Sequence, residues 1–465
     1  MKIYAPNIHV FTFQLYKGSN FDDNIDSKDL NFIWERGNDI IKEVLKQDLQ
    51  LSQKIDVKKD EGFNKVDILN DQNEVAVYLE GNVNPSPQQD ILITGFAYPC
   101  RISDSYGLWL NLRRPEQENN QPTEDVETDF LKLLNPNNCL ILPLNPLFLG
   151  QTILITAWIN NAKIQNDHQK IADECLKQIF PNQNTIPPFY RQGQLFGSPI
   201  FEYGLPNQSS QYQQVLICLF TKQETGNKFD QSCSELLDLF FRHSKIIKAY
   251  KDSRAIYKDL DKKYRDIESE VNKILELENN QDITRKDLKK LQNQLRAFPR
   301  LALEYTRLLL SLEDSQNTIV INADNYSDKL AQIKHNLNGE NLDFLEIFLN
   351  KNCVTFKRQI QADLGYFQHG SQLLDQAINS IRGIVEIEQA KSDRSLERTV
   401  QILGIGLGGG AIVSGVIVQH IDKINLPLLP IIPKNPFSAS LILSIIATLV
   451  WTLLIWLIID RYPRK

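Results

Sequence analysis

The spacing of apolar residues changes twice along this chain, and the two changes divide it into three parts. Up to about residue 221, β-branched and aromatic runs alternate with polar loops such as EGNVNPSPQQD and RRPEQENNQPTED, the pattern of strands separated by turns. From Ser232 to Arg398 the period becomes helical, with few glycines and one proline. Beyond that lie two uncharged apolar runs.

The first part reads as an α+β head over residues 1–222. A strand is predicted at NIHVFTFQLY, a helix from about Ser27 to Leu51, and strands near Lys65 to Leu69 and Glu74 to Leu79. Later come a strand at TILITAW (152–158), an amphipathic helix from about Asn161 to Phe180, and strands near Gln194 to Tyr203 and at QVLICLF (214–220). That second succession is β-α-β-β-α, and the similar rhythm of the opening suggests two ferredoxin-like halves.

In the second part, residues 232–398, the apolar positions fall into heptads. One seam of the first helix runs through Leu236, His243, Tyr250, Tyr257, Tyr264 and Val271, and the other through Leu239, Ile246, Ser253, Leu260, Ile267 and Ile274. A second run passes from Leu288 through Tyr305 and Tyr326 to Leu337, with Gln316 its polar member. Pro299 should kink this helix without ending its seam. A third run, from about Leu342, carries Ile360, Leu364, Phe367, Leu374, Ile378, Ile381 and Val385. Polar breaks at 278–282 and 338–341 are short enough to turn antiparallel helices, so the expectation is a three-helix coiled-coil stalk, up, down, up.

The third part, 399–465, reads as a transmembrane hairpin. Val400–Val418 and Phe437–Ile459 each have about the length a helix needs to cross the hydrocarbon core. Pro427, Pro430, Pro433 and Pro436 prevent one helix from continuing through the connection. Lys391, Arg394 and Arg398 flank the first span and Arg461, Arg464 and Lys465 the second, against Lys423 and Lys434 between them. This bias puts head, stalk and both termini on the cytoplasmic side of the inner, or plasma, membrane. Gly404, Gly408 and Gly415 line a small-residue face for helix packing, within the hairpin or between copies. GIGLGGGAIVSG lies inside an apolar run, which argues against a phosphate loop.

Composition adds little to this picture. With 51 basic and 57 acidic residues among 465, nothing in the overall charge points to a nucleic-acid partner. The six cysteines stand singly, without the spacing of a metal site, which suits reduced thiols in the cytosol. The opening lacks the apolar run of a signal peptide and reads as a first strand. No cofactor motif or catalytic constellation is legible. None of the six histidines has zinc-protease spacing or a G-x-S-x-G serine beside it, and His9 on its strand reads as a structural or surface residue. The stretch RQGQLFGSPIFEYG puts Arg191, Gly193, Gly197 and Glu202 near strand ends. Arg191 and Glu202 are candidates for the rim of a small-ligand or peptide site, and a strand-turn pair explains the glycines equally well.

A cytoplasmic head, long helices and two C-terminal spans resemble CorA-type magnesium channels from about Ser232 onward. Those channels carry Gly-Met-Asn at the end of the first span, where this chain has Gly415-Val416-Ile417-Val418-Gln419-His420. NIHVFTFQLYKG and GQLFGSPIFEYG, followed by heptads, resemble the caspase- and TPR-repeat-associated (CATRA) proteins of bacterial conflict systems. That resemblance implies a non-enzymatic partner of a caspase-like protease or TPR protein in defence or cell death. The sequence therefore points to a membrane-anchored, non-enzymatic sensor, scaffold or effector, possible as a homo-oligomer. A CorA-like ion conductor and a membrane-attached enzyme with an unrecognised head site are the alternatives.

Overall fold

A computed structural model describes residues 1–16, 27–56, 65–71, 74–86, 89–159, 167–206, 214–278, 284–390 and six positions between 442 and 451. An N-terminal mixed β-sheet head is followed by long packed helices. The head elements are β1 (Lys2–Leu15), α1 (Phe32–Leu45), β2 (Lys65–Asp67), β3 (Val77–Ser86), β4 (Gln89–Ile102), β5 (Ser105–Arg113), β6 (Phe148–Trp158), α2 (His168–Ile179), β7 (Phe189–Leu195), β8 (Ser198–Tyr203) and β9 (Gln214–Phe220). The helices that follow are α3 (Gln223–Glu278), α4 (Arg285–Asn336), the short α5 (Asp343–Ile347), a π-helical segment Phe348–Cys353, and α6 (Val354–Ala390).

One sheet joins all the main strands, in the order β7-β8-β9-β6-β1-β5-β4, with β2 and β3 both on the far side of β4. Every neighbour is antiparallel except β9, which runs parallel to β6. The opening set and the later set each consist of a strand, a helix and further strands, and they differ in what pairs with the first strand. β5 lies antiparallel beside β1, whereas β9 lies parallel beside β6.

Several predicted boundaries move for local reasons. The stretch expected as one strand from Gln194 to Tyr203 belongs to a hairpin, because Phe196 and Gly197 both take positive φ (53° and 80°) and reverse the chain. The helix expected to reach Leu51 ends at Leu45, where Lys46 turns left-handed at φ 59°. The helix expected from Asn161 is described from His168.

Both faces of the sheet are covered, which explains why β9 is buried at every position. Ile8, Val10, Leu108, Leu110, Ile153, Ile155, Val215 and Ile217 belong to one core with Ile33, Ile40 and Ile41 of α1 and Ile171, Cys175 and Ile179 of α2. The opposite face meets the first half of α3. There His9 lies 5.3 Å from the Phe229 ring, Phe11 4.9 Å from Phe240, and Phe13 5.5 Å from Phe241.

The chain divides into two compact units. The first contains Met1–Lys258 and Leu310–Leu364. In it α3 and α4 run antiparallel, since Asp238 pairs with Lys329 and Arg242 with Asn322. α3 and the Phe348–Leu364 stretch run parallel, through His243 with Phe348, Tyr250 stacked on Phe356 at 3.9 Å, and Arg254 with Asp363. The turn after α4 is made by Asn338 and Gly339 at positive φ.

The second unit contains Asp259–Leu309 and Gly365–Lys465. Here Leu260, Ile267, Ile274, Leu291, Phe298, Tyr305, Phe367, Leu374 and Ile381 are buried, as the seams predict. α4 runs unbroken through Pro299. Lys263 pairs with Glu304, Gln294 donates to Glu270, and the Tyr305 hydroxyl donates to the Phe367 carbonyl at 2.7 Å. Tyr264 here, like Tyr250 and Tyr257 in the first unit, is only half-buried although it occupies a seam position. The expected spans and the glycines Gly404, Gly408 and Gly415 lie outside the described residues, apart from Ile442, Ser444, Ile445, Ile446, Val450 and Trp451, which are helical. Among the described residues no helix is long and apolar enough to cross a membrane.

Candidate functional site

The two residues proposed for a ligand rim, Arg191 on β7 and Glu202 on β8, face each other across the hairpin register. They form an ion pair, Arg191 Nε donating to Glu202 Oε2 at 2.5 Å, and Glu202 is only 1% exposed. The second carboxylate oxygen accepts from Gln214 Nε2 at 2.7 Å, and Gln214 in turn accepts from the Thr152 hydroxyl at 2.8 Å. A polar chain thus crosses four strands beneath the helices. Both carboxylate oxygens of Glu202 accept a hydrogen bond, which is what lets it remain buried, while Arg191 Nη1 is buried without a hydrogen-bond partner among the described residues.

At its outer end the chain closes on an aromatic face. The Arg191 guanidinium carbon sits 4.4 Å above the Phe344 ring of α5 and 5.5 Å from that of Tyr190. A cation over a desolvated ring is attracted by the ring's quadrupole. Gly193 makes the approach possible, since a Cβ there would lie 2.8 Å from Phe344 Cδ2. Tyr190 adds a hydrogen bond to Asn352 Oδ1 (3.1 Å) in the π segment, and the Tyr326 hydroxyl donates to the Leu345 carbonyl at 3.2 Å. The His243 ring of α3 lies 4.2 Å from that of Phe348, tilted by 43°. Burial, then the Arg191 charge, pushes its pKa down to about 3, so the ring is neutral at physiological pH. The edge hairpin is therefore latched to α5 and to the widened turn that leads into α6. Such turns recur at functional positions.

The remaining polar clusters in this unit are paired in part, with His9 Nε2 buried without a hydrogen-bond partner among the described residues. His9 Nδ1 accepts from Trp109 Nε1 (3.2 Å) and faces Asn111 Nδ2 (3.1 Å), and burial followed by the Arg113 charge lowers its pKa to about 3. Asp238 lies between Lys65 and Lys329, and Tyr98 donates to Asp67 at 2.5 Å. Burial raises the thiols of Cys100, Cys175, Cys218 and Cys353 and keeps them protonated. Among the described residues no group of three or more His, Cys, Asp or Glu could hold a metal ion.

The sequence singled out Arg191, Glu202, Gly193 and Gly197, and gave no sign that Tyr190, Gln214, Tyr326, Phe344 and Asn352 would lie around them. His243 was visible as a break in the apolar seam, and such a break was the available signal. Gly197 does serve the turn through its positive φ, while Gly193 serves the close contact with Phe344.

Comparison with family models, with curated proteins and with solved structures returns no match.

Proposed function

We propose that this chain is a membrane-anchored, non-enzymatic scaffold or sensor, whose head is coupled through the Arg191–Glu202 latch to the helix leading toward the bilayer. One observation carries the reading. The polar chain of the head ends on Phe344 and, beside Asn352, on the turn opening α6, and the sequence after α6 reaches an apolar run ten residues beyond Ala390. The exposed helical residues Ile445, Ile446, Val450 and Trp451 within the second run also favour lipid contact. The finer fold reading, two ferredoxin-like halves in the head and an antiparallel three-helix coiled-coil stalk ending in a transmembrane hairpin, belongs to the same proposal. So do the inner-membrane location, self-association through the Gly404 face, and a caspase-like or TPR partner.

Amide exchange on the full chain tests the coupling. Replacing Arg191 with Met should raise exchange in β7 and also across Phe348–Leu364. A rise confined to β7 would remove the coupling, and with it the reason to regard the head as a sensor.

A further inference from the structure

The first turns of α4 carry a concentration of charge unlike the rest of the chain. Between Arg285 and Arg300 there are six basic residues and one acid. That acid, Asp287, is engaged by the helix start, where it accepts from the Thr284 hydroxyl at 2.5 Å and its own N–H donates back to Thr284. Lys286, Lys289, Arg296 and Arg300 recur at helical spacing on one face, with Asn293 between them, and all are exposed. The opposite face, Leu291, Leu295 and Phe298, is buried in the bundle. A shallow groove runs between Arg296 and Arg300. No ion pair of Lys286, Lys289, Arg296 or Arg300 with an acidic side chain occurs among the described residues.

The placement of this face within the second unit indicates what it meets. α3 and α4 are antiparallel there, through Lys263 with Glu304 and Gln294 with Glu270. α3 and α6 both pass out of the first unit into this one as continuous helices, and Tyr264 of α3 and Tyr305 of α4 both lie against Phe367 of α6. From that level, about 30 Å of α4 leads back to Arg285 and about 35 Å of α6 leads forward to Ala390, both toward the same end. Val400 follows Ala390 by ten residues, a reach of at most about 35 Å. The last turn of α3 carries Glu276 and Glu278 instead, so the charge is one-sided.

We infer that the Lys286–Lys289–Arg296–Arg300 face of α4 binds the anionic lipid surface of the leaflet that the chain enters. The inference rests on the membrane-anchor reading and adds a chemical class of lipid to it. Basic side chains held near an anionic leaflet are attracted within a Debye length, and salt releases them. A solvated charged face without a target would show neither dependence.

The test uses the full chain in vesicles of neutral phosphatidylcholine and of phosphatidylcholine with about 30 mol % phosphatidylserine, a composition with a strongly negative surface. The readout is the rate at which an amine reagent modifies Lys286 and Lys289, mapped by mass spectrometry. Modification should be about five-fold slower or more in the anionic vesicles, with the difference lost at high salt. Lys228 and Lys334, which pair with Glu340 and Glu346 in the other unit, serve as internal controls and should not change. The variant K286Q/K289Q/R296Q/R300Q should retain the helical content of the parent and, labelled through a cysteine at Asn293, show no lipid dependence where the parent labelled there does. Equal rates in both vesicles for inserted protein overturn the inference and leave the anchor reading standing. Failure to float with neutral vesicles counts against the anchor reading alone. Protection of the same lysines by a short DNA duplex as strong as that by anionic lipid would also overturn the assignment.

Discussion

Arg191 and Glu202 lie one strand apart and form a nearly buried ion pair, Nε to Oε2 at 2.5 Å, with side chains 14% and 1% exposed. Removing one partner leaves the other charged and dry. Glu202→Leu should therefore cost about 3–5 kcal/mol, while the joint replacement Arg191→Met with Glu202→Leu should cost less than either single change. Urea unfolding of the four proteins checks this. Additive losses would mean that the two groups are not coupled.

Gly193 tests the contact between the hairpin and α5. A methyl group would stand 2.8 Å from Phe344 Cδ2, so Gly193→Ala should destabilise by about 1–3 kcal/mol through overpacking. Phe344→Leu in the same chain should recover part of that loss, at the expense of the surface on which Arg191 rests. Thermal melts of the single and double variants decide whether the close approach is real.

Acid should weaken the first unit through its two buried imidazoles. His9 and His243 each have a folded pKa near 3 against an unfolded value near 6.5, so the unfolded chain binds more protons between those limits. Stability is retained above pH 6.5 and falls as the pH drops toward 3, by up to about 1.4 kcal/mol per pH unit for each ring. Urea midpoints from pH 7.5 to 5 should show the decline. His243→Gln should make it shallower, and an unchanged slope would place the titration elsewhere.

The helix seams predict a larger effect deeper in the second unit. Leu260 is fully buried, so Leu260→Asp places an unpaired charge in the core and should cost several kcal/mol. Gly370 offers a subtler probe, because a Cβ there would overlap the Tyr305 hydroxyl that bonds to the Phe367 carbonyl. Gly370→Ala should lower the melting temperature by separating α4 from α6, and circular dichroism of both variants checks it.

The long helices were largely legible because burial on a helix follows a period that one sequence displays. Leu239, Ile246, Leu260, Ile267 and Ile274 are all buried, as their spacing requires. The reading failed where polar atoms occupy the seam by pairing. Asp363 is buried against Arg254, and buried Ser253 donates to the Tyr250 carbonyl, pairings that no hydropathy pattern can anticipate. The π segment stayed hidden because one extra residue in a turn leaves the average period almost unchanged. In the head, covering the sheet on both sides removed the alternation that marks a strand's faces, so strands were found and their order was not. The latch combined both difficulties. Arg191 and Glu202 stood out by charge, while Phe344 and Asn352 come from α5 and the π segment, more than 140 residues further along the chain.

A membrane-anchored role requires the chain to cross the membrane twice, and cysteine accessibility at the connection between the apolar runs tests this directly. Asn435 lies between those runs, and Lys465 ends the chain. With single cysteines at each in a cysteine-free background, an impermeant maleimide added to intact cells should label position 435. It should reach position 465 only after lysis, as the basic flanks require. Labelling of position 465 in intact cells, or equal protection of both positions until lysis, would contradict the hairpin and the membrane-anchored role built on it.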